Sequence, residues 1–582
     1  MTLRRACALV LSLCLLLAAL PGLAPRARAA APAPATGRRG MVVTAEADAT
    51  RAGVEMLRSG GNAIDAAVAA AFALAVTEPY HSGIGGGGFF LIRLADGRAF
   101  AIDARETAPA RATSDVFVKP GVASDASRVG PLAVATPGLV AGLSELLARF
   151  GTKTLAEVLA PAIRLAEEGF PISPRHARVL EFAAKMGLRE RFPGTAGIQL
   201  PPAGQPIAAG WRLVQPQLAR TLRTLAREGP DAFYRGGIAK AIAAEIERRG
   251  GLLSLDDLDS YRTKWREPLQ GSYRGYDVLS FPPPSSGGVA LLEILNALEG
   301  FDLTRRGAGS SASIHLVAEA MKLAFADRAA YLGDPDFVAV PTAMLVSKAY
   351  GARQGERIDP PWWRRAPWTW NRREVAIEVS GPGLPTEDGG TTHLSVTDGA
   401  GNAVSITQTV NLLFGSGITV AGTGIVLNDE MDDFSVALDR PNAFGLVDTR
   451  GANAVAPGKR PLSSMTPTIL LKDGRTFLVT GSPGGPRIIT TTLLTILDVV
   501  DWEMDPADAV AAPRFHHQWL PDELLLEPGF PADVIQGLRA RGHPVKVSPS
   551  TWSSAELIEV DPPTGLQIGA SDPRSDGLAL GE

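Results

Sequence analysis

Two adjacent runs of sequence decide the fold: residues 389–398 are GGTTHLSVTD, and residues 399–411 are GAGNAVSITQTVN. Each run has the alternation and the length of a β-strand, and the glycine-containing loop between them is typical of a hairpin. If Asp398 pairs with Asn402, Thr391 lies directly opposite Thr409. The sequence therefore predicts a β-hairpin that begins in glycine and places two threonines side by side.

Thr391 is the candidate nucleophile in this hairpin. A threonine hydroxyl needs a base, and the residue's own α-amine can serve once the chain is cut in front of it. The reference pKa of an α-amine is about 7.7–8.0, so the group is substantially neutral near pH 7 and suits a general base. Gly390 leaves the preceding peptide bond free to bend and little covered. The alternative interpretation is a β-branched residue that opens a strand and has no chemical role.

The first 29 residues have the pattern of a cleaved export signal. Two arginines precede an apolar run over residues 6–20, and small residues follow at Ala27 and Ala29, where a signal peptidase cuts. The run is shorter than the ~20 residues that span a bilayer, and an uncleaved N-terminal anchor is the alternative. The 2 cysteines of the chain both lie in this segment. The mature protein therefore lacks thiol catalysis, disulfides and zinc–thiolate sites.

Charge and hydropathy exclude further classes. A formal net charge of -4 over 582 residues gives no basis for nucleic-acid binding. No second long apolar stretch predicts a membrane span after signal removal, so we expect a soluble exported protein, periplasmic or secreted. The glycine-rich residues 83–88 lack a following Lys-Ser/Thr and lead into a strand, which favours a tight turn over a phosphate site. We identify no metal site and no cofactor motif.

The rest of the pattern divides the chain near residue 390 into a helix-rich first part and a strand-rich second part. Residues 31–40 are predicted to be a disordered leader, and residues 355–390 an irregular exposed segment rich in proline, glycine and arginine. Apolar periodicity and capping residues predict the regular elements. We expect helices over 47–58, 63–76, much of 137–249, 313–331, 487–500 and 532–541, and a hairpin over 89–103.

Distinctive short blocks recur from about residue 41 to residue 576. Besides the hairpin block over 390–404, they are RETAP at 105–109, PPPSSGG at 282–288, YLGDP at 331–335, LNDEMDDF at 427–434, RPLSSM at 460–465, GSPGG at 481–485, PRFHHQ at 513–518 and ASDPR at 570–574. In this order the blocks resemble the γ-glutamyltransferases, also called γ-glutamyl transpeptidases or glutathione hydrolases. That family belongs to the N-terminal-nucleophile hydrolases.

The resemblance implies a fold and a maturation step. Such proteins are α+β, with a four-layer αββα sandwich, and arise from a precursor that cuts itself, here between Gly390 and Thr391. The products would be a large subunit of residues 30–390 and a small subunit of residues 391–582, intertwined as a heterodimer without a cofactor. Thr391 would take the γ-glutamyl group from glutathione or another γ-glutamyl compound. The acceptor would be water, an amino acid or a dipeptide.

The resemblance also assigns the residues that bind the donor, and their chemistry fits the task. The planar guanidinium of Arg105 suits the donor's α-carboxylate, which the hydroxyls of Ser463 and Ser464 would also grip. The donor's ammonium needs acceptors. Those implied are Asn411, Glu430 and Asp433.

A further set is implied to act on the reacting bond. Gly484 and Gly485 have no side chains to block backbone N–H groups directed at an oxyanion. Thr409 would orient the hydroxyl of Thr391. The hydroxyl of Thr392 would hydrogen-bond the new α-amine.

Two positions depart from the family pattern. Many bacterial members have a lid loop whose tyrosine closes over the donor, whereas residues 440–445 of this chain carry Phe444, which has no hydroxyl. We expect a lid that opens more readily. Asp429 stands where asparagine is frequent, and Glu430 keeps an acceptor at the next position, so donor binding should persist.

Two rival functions remain at this stage. One is a related acylase that uses the same nucleophile on a glutaryl β-lactam or on poly-γ-glutamate. Arg105 together with Glu430 and Asp433 favours a donor that carries an amino acid, since a glutaryl group would leave the two acids unpaired. The other rival is a non-catalytic exported binding protein with the same fold.

Overall fold

The computed structural model describes residues 33–358, 390–438 and 440–582. The predicted export signal over residues 1–29 lies outside this range. So does most of the predicted irregular segment over 355–390. Its first residues, 355–358, complete a helix, Lys348–Ile358, and its last, Gly390, begins a strand.

Two seven-stranded antiparallel sheets form the centre of the fold. Sheet I consists, in spatial order, of Leu578–Gly581, Gly40–Thr44, Gly390–Asp398, Ala403–Asn411, Gly87–Arg93, Ala99–Ala104 and Lys264–Arg266. Sheet II consists of Ala35–Gly37, Gln567–Ser571, Glu556–Val560, Arg475–Thr480, Thr468–Lys472, Tyr276–Ser280 and Leu269–Tyr273. Short strands form two smaller sheets. One consists of Phe515–His516, Leu524–Leu526 and Val545–Val547, and the other consists of Phe170–Pro171 and Arg212–Leu213.

Helices cover the outer face of each sheet. Those that share an apolar core with sheet I are Ala47–Arg58, Ala63–Thr77, Leu139–Phe150, Leu155–Glu168, Pro174–Lys185, Leu188–Arg191, Pro193–Gln199, Pro216–Glu228, Asp231–Tyr234, Gly237–Arg248 and Leu255–Ser260. Those on the side of sheet II are Gly287–Leu298, Ser311–Tyr331, Thr342–Leu345, Lys348–Ile358, Arg487–Val500, Pro506–Ala511 and Ala532–Ala540. Three short 3-10 turns complete the list, Pro131–Ala133, Thr304–Arg306 and Glu430–Asp433.

The two sheets pack face to face through a third apolar core. Met41, Val43 and Leu91 of sheet I meet Ile469 and Val479 of sheet II in this core. With helices outside both sheets, the layers run helix, sheet, sheet, helix. The α+β, four-layer αββα architecture implied by the sequence is thus confirmed.

Local signals in the sequence explain several elements. The Asn62 side chain accepts hydrogen bonds from Ile64 N and Asp65 N, and so caps the helix Ala63–Thr77 as predicted. Every residue of that alanine-rich helix is buried. The predicted helix over 487–500 begins and ends at those residues, and the expected hairpin over 89–103 also forms.

One expectation about organisation is wrong. The leader predicted over 31–40 contains ordered strands, because Ala35–Gly37 pairs with residues 567–569 near the other end of the chain. Most helices precede residue 390, as the sequence pattern indicated, and each sheet combines strands from both sides of that residue. The hairpin that starts at Gly390 lies between two strands of the first part, Gly40–Thr44 and Gly87–Arg93.

Within residues 33–358, 390–438 and 440–582, no helix combines the length and the apolar character needed to cross a bilayer.

Candidate active site

The predicted hairpin occupies the middle of sheet I. Thr391 pairs with Thr409, and the same register continues to Thr397 and Ala403, as predicted. The pairing is irregular only at the start, where Gly390 lies opposite Asn411. Because both strands have neighbours on each side, the two threonines are fixed in a rigid and buried setting.

The hydroxyl groups of the two threonines connect Thr391 to the carbonyl in front of it. The Thr409 hydroxyl donates to Gly390 O at 2.6 Å and accepts from Asn411 N at 2.8 Å. Its single proton is thereby committed, so the Thr391 hydroxyl, 3.0 Å away, is the donor in the bond between the two side chains. The result is a directed path from Thr391 through Thr409 to the Gly390 carbonyl.

Only glycine fits immediately before Thr391. A Cβ atom at position 390 would lie 2.3 Å from the carbonyl oxygen of Leu412. A larger residue would displace this segment and break the contact between Gly390 O and Thr409. The sequence suggested flexibility as the reason for glycine, and the structure adds a steric one.

Most predicted site residues line one small cavity of about 20 Å³. Those predicted are Arg105, Thr391, Thr409, Asn411, Glu430, Asp433, Phe444, Ser463, Ser464 and Gly485. Sequence reasoning missed three apolar lining residues, Leu446, Met465 and Ile488. Each adjoins a recognised block or the lid, but its type alone is that of an ordinary core residue.

One end of the cavity is charged: Arg105, Glu430 and Asp433 line it, and Glu106 lies next to Arg105 outside the lining. We call these four residues the charged end. The Arg105 side chain is buried, and its guanidinium donates to both Glu430 and Asp433. Its Nε also donates to Pro461 O at 3.2 Å, and Glu106 lies 3.7 Å from the guanidinium. The groups predicted to bind the two charges of a donor therefore neutralise each other when no donor is bound.

Burial at the charged end raises the pKa of its carboxyl groups. The pKa of Glu430 is well above its usual range, and that of Asp433 is also raised, although Arg105 acts in the opposite direction on both. Burial likewise raises the pKa of Glu106 to about 8. Burial therefore opposes ionisation at all three carboxyl groups around the one guanidinium.

The departure at Asp429 has a physical explanation. Its Oδ1 accepts from Leu412 N at 2.9 Å, while Oδ2 is buried and has no partner among the described residues. Burial raises the pKa of Asp429 well above its usual range. Burial thus disfavours the charged form of this carboxyl, and the neutral form has the shape of the asparagine amide that the family resemblance leads us to expect here.

The other end of the cavity is neutral: Phe444, Gly485 and Ile488 line it, and Gly484 precedes Gly485 outside the lining. We call these four residues the neutral end. Gly485 has φ +58°, and a Cβ atom there would lie 2.5 Å from Cδ1 of Phe444. The Phe444 ring thus rests directly on Gly485, as expected of a lid. Among the described residues, no acceptor is hydrogen-bonded to the backbone N–H of Gly484 or Gly485, so neither N–H is committed to a partner within the protein.

Thr392 lies apart from this cavity. Its hydroxyl donates to the buried Glu78 at 2.6 Å, on the opposite face of the strand from Thr391. Its predicted hydrogen bond to a new α-amine stays a prediction, because the chain is continuous through residue 391.

A cluster of possible metal ligands lies elsewhere in the described part of the chain. Ligand atoms of His315, Glu319 and His543 are within 4.8 Å of one another. The Lys322 ammonium, 3.1 Å from Glu319, already supplies a cation there, and none of these residues lines the cavity. Sequence reasoning missed the cluster because His543 is distant from the other two along the chain.

Comparison with known proteins gives the family. The family model for gamma-glutamyltranspeptidases matches residues 49–582. The chain belongs to this family. The glutathione hydrolase proenzyme of Escherichia coli K12 is 46% identical over 553 residues, with coverage of 94% of this chain and 93% of that one. The acylase ACY 1 proenzyme of Pseudomonas sp. SE83 is 43% identical, with 94% of each chain covered.

Solved structures of the family agree with the fold. A cephalosporin acylase from Bacillus halodurans superimposes with a TM-score of 0.82 at 30% identity, over 96% of this chain and 99% of that one. A gamma-glutamyltranspeptidase chain from Helicobacter pylori gives a TM-score of 0.52 at 42% identity, over 56% of this chain and 95% of that one.

Proposed function

We propose that this family member is an exported, self-cleaving enzyme that hydrolyses and transfers γ-glutamyl groups, with Thr391 as nucleophile. The observation that carries the proposal is the path from the Thr391 hydroxyl through Thr409 to the Gly390 carbonyl. The path supports an attack by Thr391 on the bond ahead of it, because the carbonyl oxygen of that bond already accepts a hydrogen bond from Thr409.

Self-cleavage proceeds in two steps. Thr391 Oγ1 attacks the Gly390 carbonyl carbon while Thr409 stabilises the charge on the oxygen. The C–N bond then breaks, the proton lost by the Thr391 hydroxyl is balanced by the one gained at the amide nitrogen, which becomes the α-amine, and the acyl group is left as an ester on Thr391 Oγ1. Water hydrolyses the ester, which frees the Gly390 carboxylate and the Thr391 α-amine. The subunits would then be residues 30–390 and 391–582, after removal of an export signal over 1–29.

Turnover repeats this chemistry on a substrate. The free α-amine accepts the proton of the Thr391 hydroxyl, which attacks the γ-carbonyl of the donor. The N–H groups of Gly484 and Gly485 bind the oxyanion, and the amine product leaves with the proton. Water, or the amine of an amino acid or dipeptide, then attacks the γ-glutamyl ester and restores Thr391.

The charged end supports a donor with an amino-acid group. The donor's α-carboxylate would take over the guanidinium of Arg105, aided by Ser463 and Ser464. Its ammonium would take the acceptors released from Arg105. These are Glu430 and Asp433, with Asn411 beside them. Each buried charge is then paired again by the exchange.

A related acylase activity is the second candidate, because acylases are among the similar proteins. A glutaryl donor has the carboxylate for Arg105 but no ammonium. Glu430 and Asp433 would lose Arg105 and gain no cation. The balance of charge therefore favours the γ-glutamyl donor, such as glutathione, over the glutaryl one.

Purification and N-terminal sequencing test the proposal. We expect two fragments, the smaller beginning with Thr391, and turnover of a γ-glutamyl anilide well above that of a glutaryl anilide. The Thr391→Ala variant should stay uncut and inactive, with Thr397→Ala in the same strand as a control that is cut. An uncut parent that turns over the anilide would contradict the mechanism. A folded, uncut and inactive parent would favour the binding protein.

A further inference from the structure

Hydrogen bonds within the lid over the neutral end hold residues 442–446 together. We call these residues the lid tip. The Asn442 side-chain oxygen accepts from the N–H groups of Phe444 and Leu446, both at 3.1 Å. Asn442 N also donates to Leu446 O at 3.1 Å. Since these bonds bridge the loop, the lid tip is expected to move as one body about its flanks.

Two hydrogen bonds attach the lid tip to the rest of the protein through its backbone. Ala443 N donates to the carboxylate of Asp432 at 2.8 Å, and the Phe444 carbonyl accepts from Gln518 Nε2 at 3.1 Å. The Phe444 ring has no polar atom with which to make such a bond. The position of the aromatic lid is therefore secured at the peptide group that carries the ring.

The orientation of the Gln518 amide follows from its neighbours. Its nitrogen faces two carbonyl oxygens, those of Phe444 and Leu520, so its oxygen must face His516 Nε2, at 2.9 Å. His516 Nε2 then carries the proton, and Nδ1 is left as an acceptor for the Thr490 hydroxyl at 2.9 Å, which also lies 3.1 Å from a second acceptor, Arg487 O. Burial lowers the pKa of His516 to about 3, which keeps this single-proton form.

These bonds form one directed chain from Thr490 through His516 and Gln518 to the lid tip, and all of its side chains are buried. Thr490 lies near the start of the helix Arg487–Val500. That helix begins two residues after Gly485. The chain hence ties the lid to the same segment that carries the N–H groups of the neutral end. The lid is thus attached through the backbone carbonyl of Phe444, in place of the attachment that a hydroxyl on the ring would give.

From this geometry we infer that Gln518 is a positioning residue that keeps the lid closed over a bound donor, with His516 and Thr490 fixing its amide. The inference rests on the proposed function, since it concerns that enzyme's donor. Gln518 does not line the cavity, so its loss should affect how firmly the donor is retained and leave the reacting groups in place.

The near-isosteric variant Gln518→Glu tests the inference, because a carboxylate cannot donate to Phe444 O. We expect KM for a γ-glutamyl anilide to rise about 2- to 10-fold, the range for one neutral hydrogen bond, while kcat stays within twofold. The exposed Gln536→Glu is the matched control and should leave both constants unchanged. Thr490→Val should give a smaller rise in KM, and combined with Gln518→Glu it should add nothing further.

The outcomes separate this inference from the proposed function. A self-cleaved, active Gln518→Glu enzyme with an unchanged KM would overturn the positioning role, and so would a fall in kcat alone. A parent enzyme without turnover would overturn the proposed function instead. Should Gln518→Glu fail to mature, the neutral variant Gln518→Met carries the same expectation and the same grounds for rejection.

Discussion

The two ends of the cavity are built on different physical principles. At the charged end, Arg105 is surrounded by Glu106, Glu430 and Asp433, and every group depends on a partner of opposite charge. The neutral end has no charged group. There, position depends on shape, on the contact of Phe444 with Gly485, and on hydrogen bonds between uncharged groups. Recognition of the donor and closure of the site therefore depend on different interactions. Variants at the two ends should lose activity in different ways.

The largest effect is expected from Gly485→Ala at the neutral end. The new Cβ would meet the Phe444 ring, and a residue with φ +58° is strained without glycine. Displacing one oxyanion donor costs about 2.7–4 kcal/mol, which lowers kcat by about 10²–10³-fold. The control is Gly458→Ala, which has φ +72° and open space around it. Equal kcat values for Gly485→Ala and the parent would show that shape does not control this end.

Next in size is Arg105→Lys at the charged end. Lysine keeps the charge but cannot present two parallel N–H groups to a carboxylate. We expect a loss of about 1.5–3 kcal/mol in transition-state binding, seen as a fall of about 10- to 100-fold in kcat/KM. The same exchange at Arg164, whose ion pair with Glu55 is exposed, should be neutral. A near-normal kcat/KM for Arg105→Lys would mean that a point charge suffices.

The pH dependence of the stability of Glu106→Gln tests the electrostatics of the charged end. Burial raises the pKa of Glu106 to about 8 from 4.5, so the folded state keeps its proton while the unfolded state loses it. The contribution of Glu106 to stability therefore falls as pH rises from 4.5 to 8. Between pH 6 and pH 7, the stability of Glu106→Gln relative to the parent should increase by up to about 1.4 kcal/mol. Denaturant unfolding at both pH values measures this change, and a constant difference would place Glu106 outside the charged cluster.

The smallest effect is expected from Phe444→Tyr. The added hydroxyl supplies one more hydrogen bond to a lid that is attached through its backbone. The ratio of hydrolysis to transfer should change by about 2- to 10-fold as the lid opens less readily. Product analysis with a dipeptide acceptor measures the ratio. Identical ratios in the variant and the parent would count against a role for lid opening in the partition between hydrolysis and transfer.

Sequence alone was sufficient where the signal was local or carried by a block. Alternation and a glycine loop predicted the register of Thr391 and Thr409. The family resemblance supplied Arg105, Glu430 and Asp433 of the charged end, and Glu106 was missed as a site residue. The ordered strand at Ala35–Gly37 escaped prediction because its partner lies more than five hundred residues away. The path through Gln518 also escaped, since hydrogen bonds between turns and helix faces leave no periodic trace in the sequence.

Each sheet combines strands from before and after residue 390. Neither product of the cut could therefore hold its layers together if it were synthesised separately. The Gly390 carbonyl ahead of Thr391 receives its hydrogen bond only when Thr409, from the neighbouring strand, is already paired. Appearance of the shorter fragment would thus count the molecules that have completed assembly, and a population arrested at full length would report a failure of folding before any failure of chemistry.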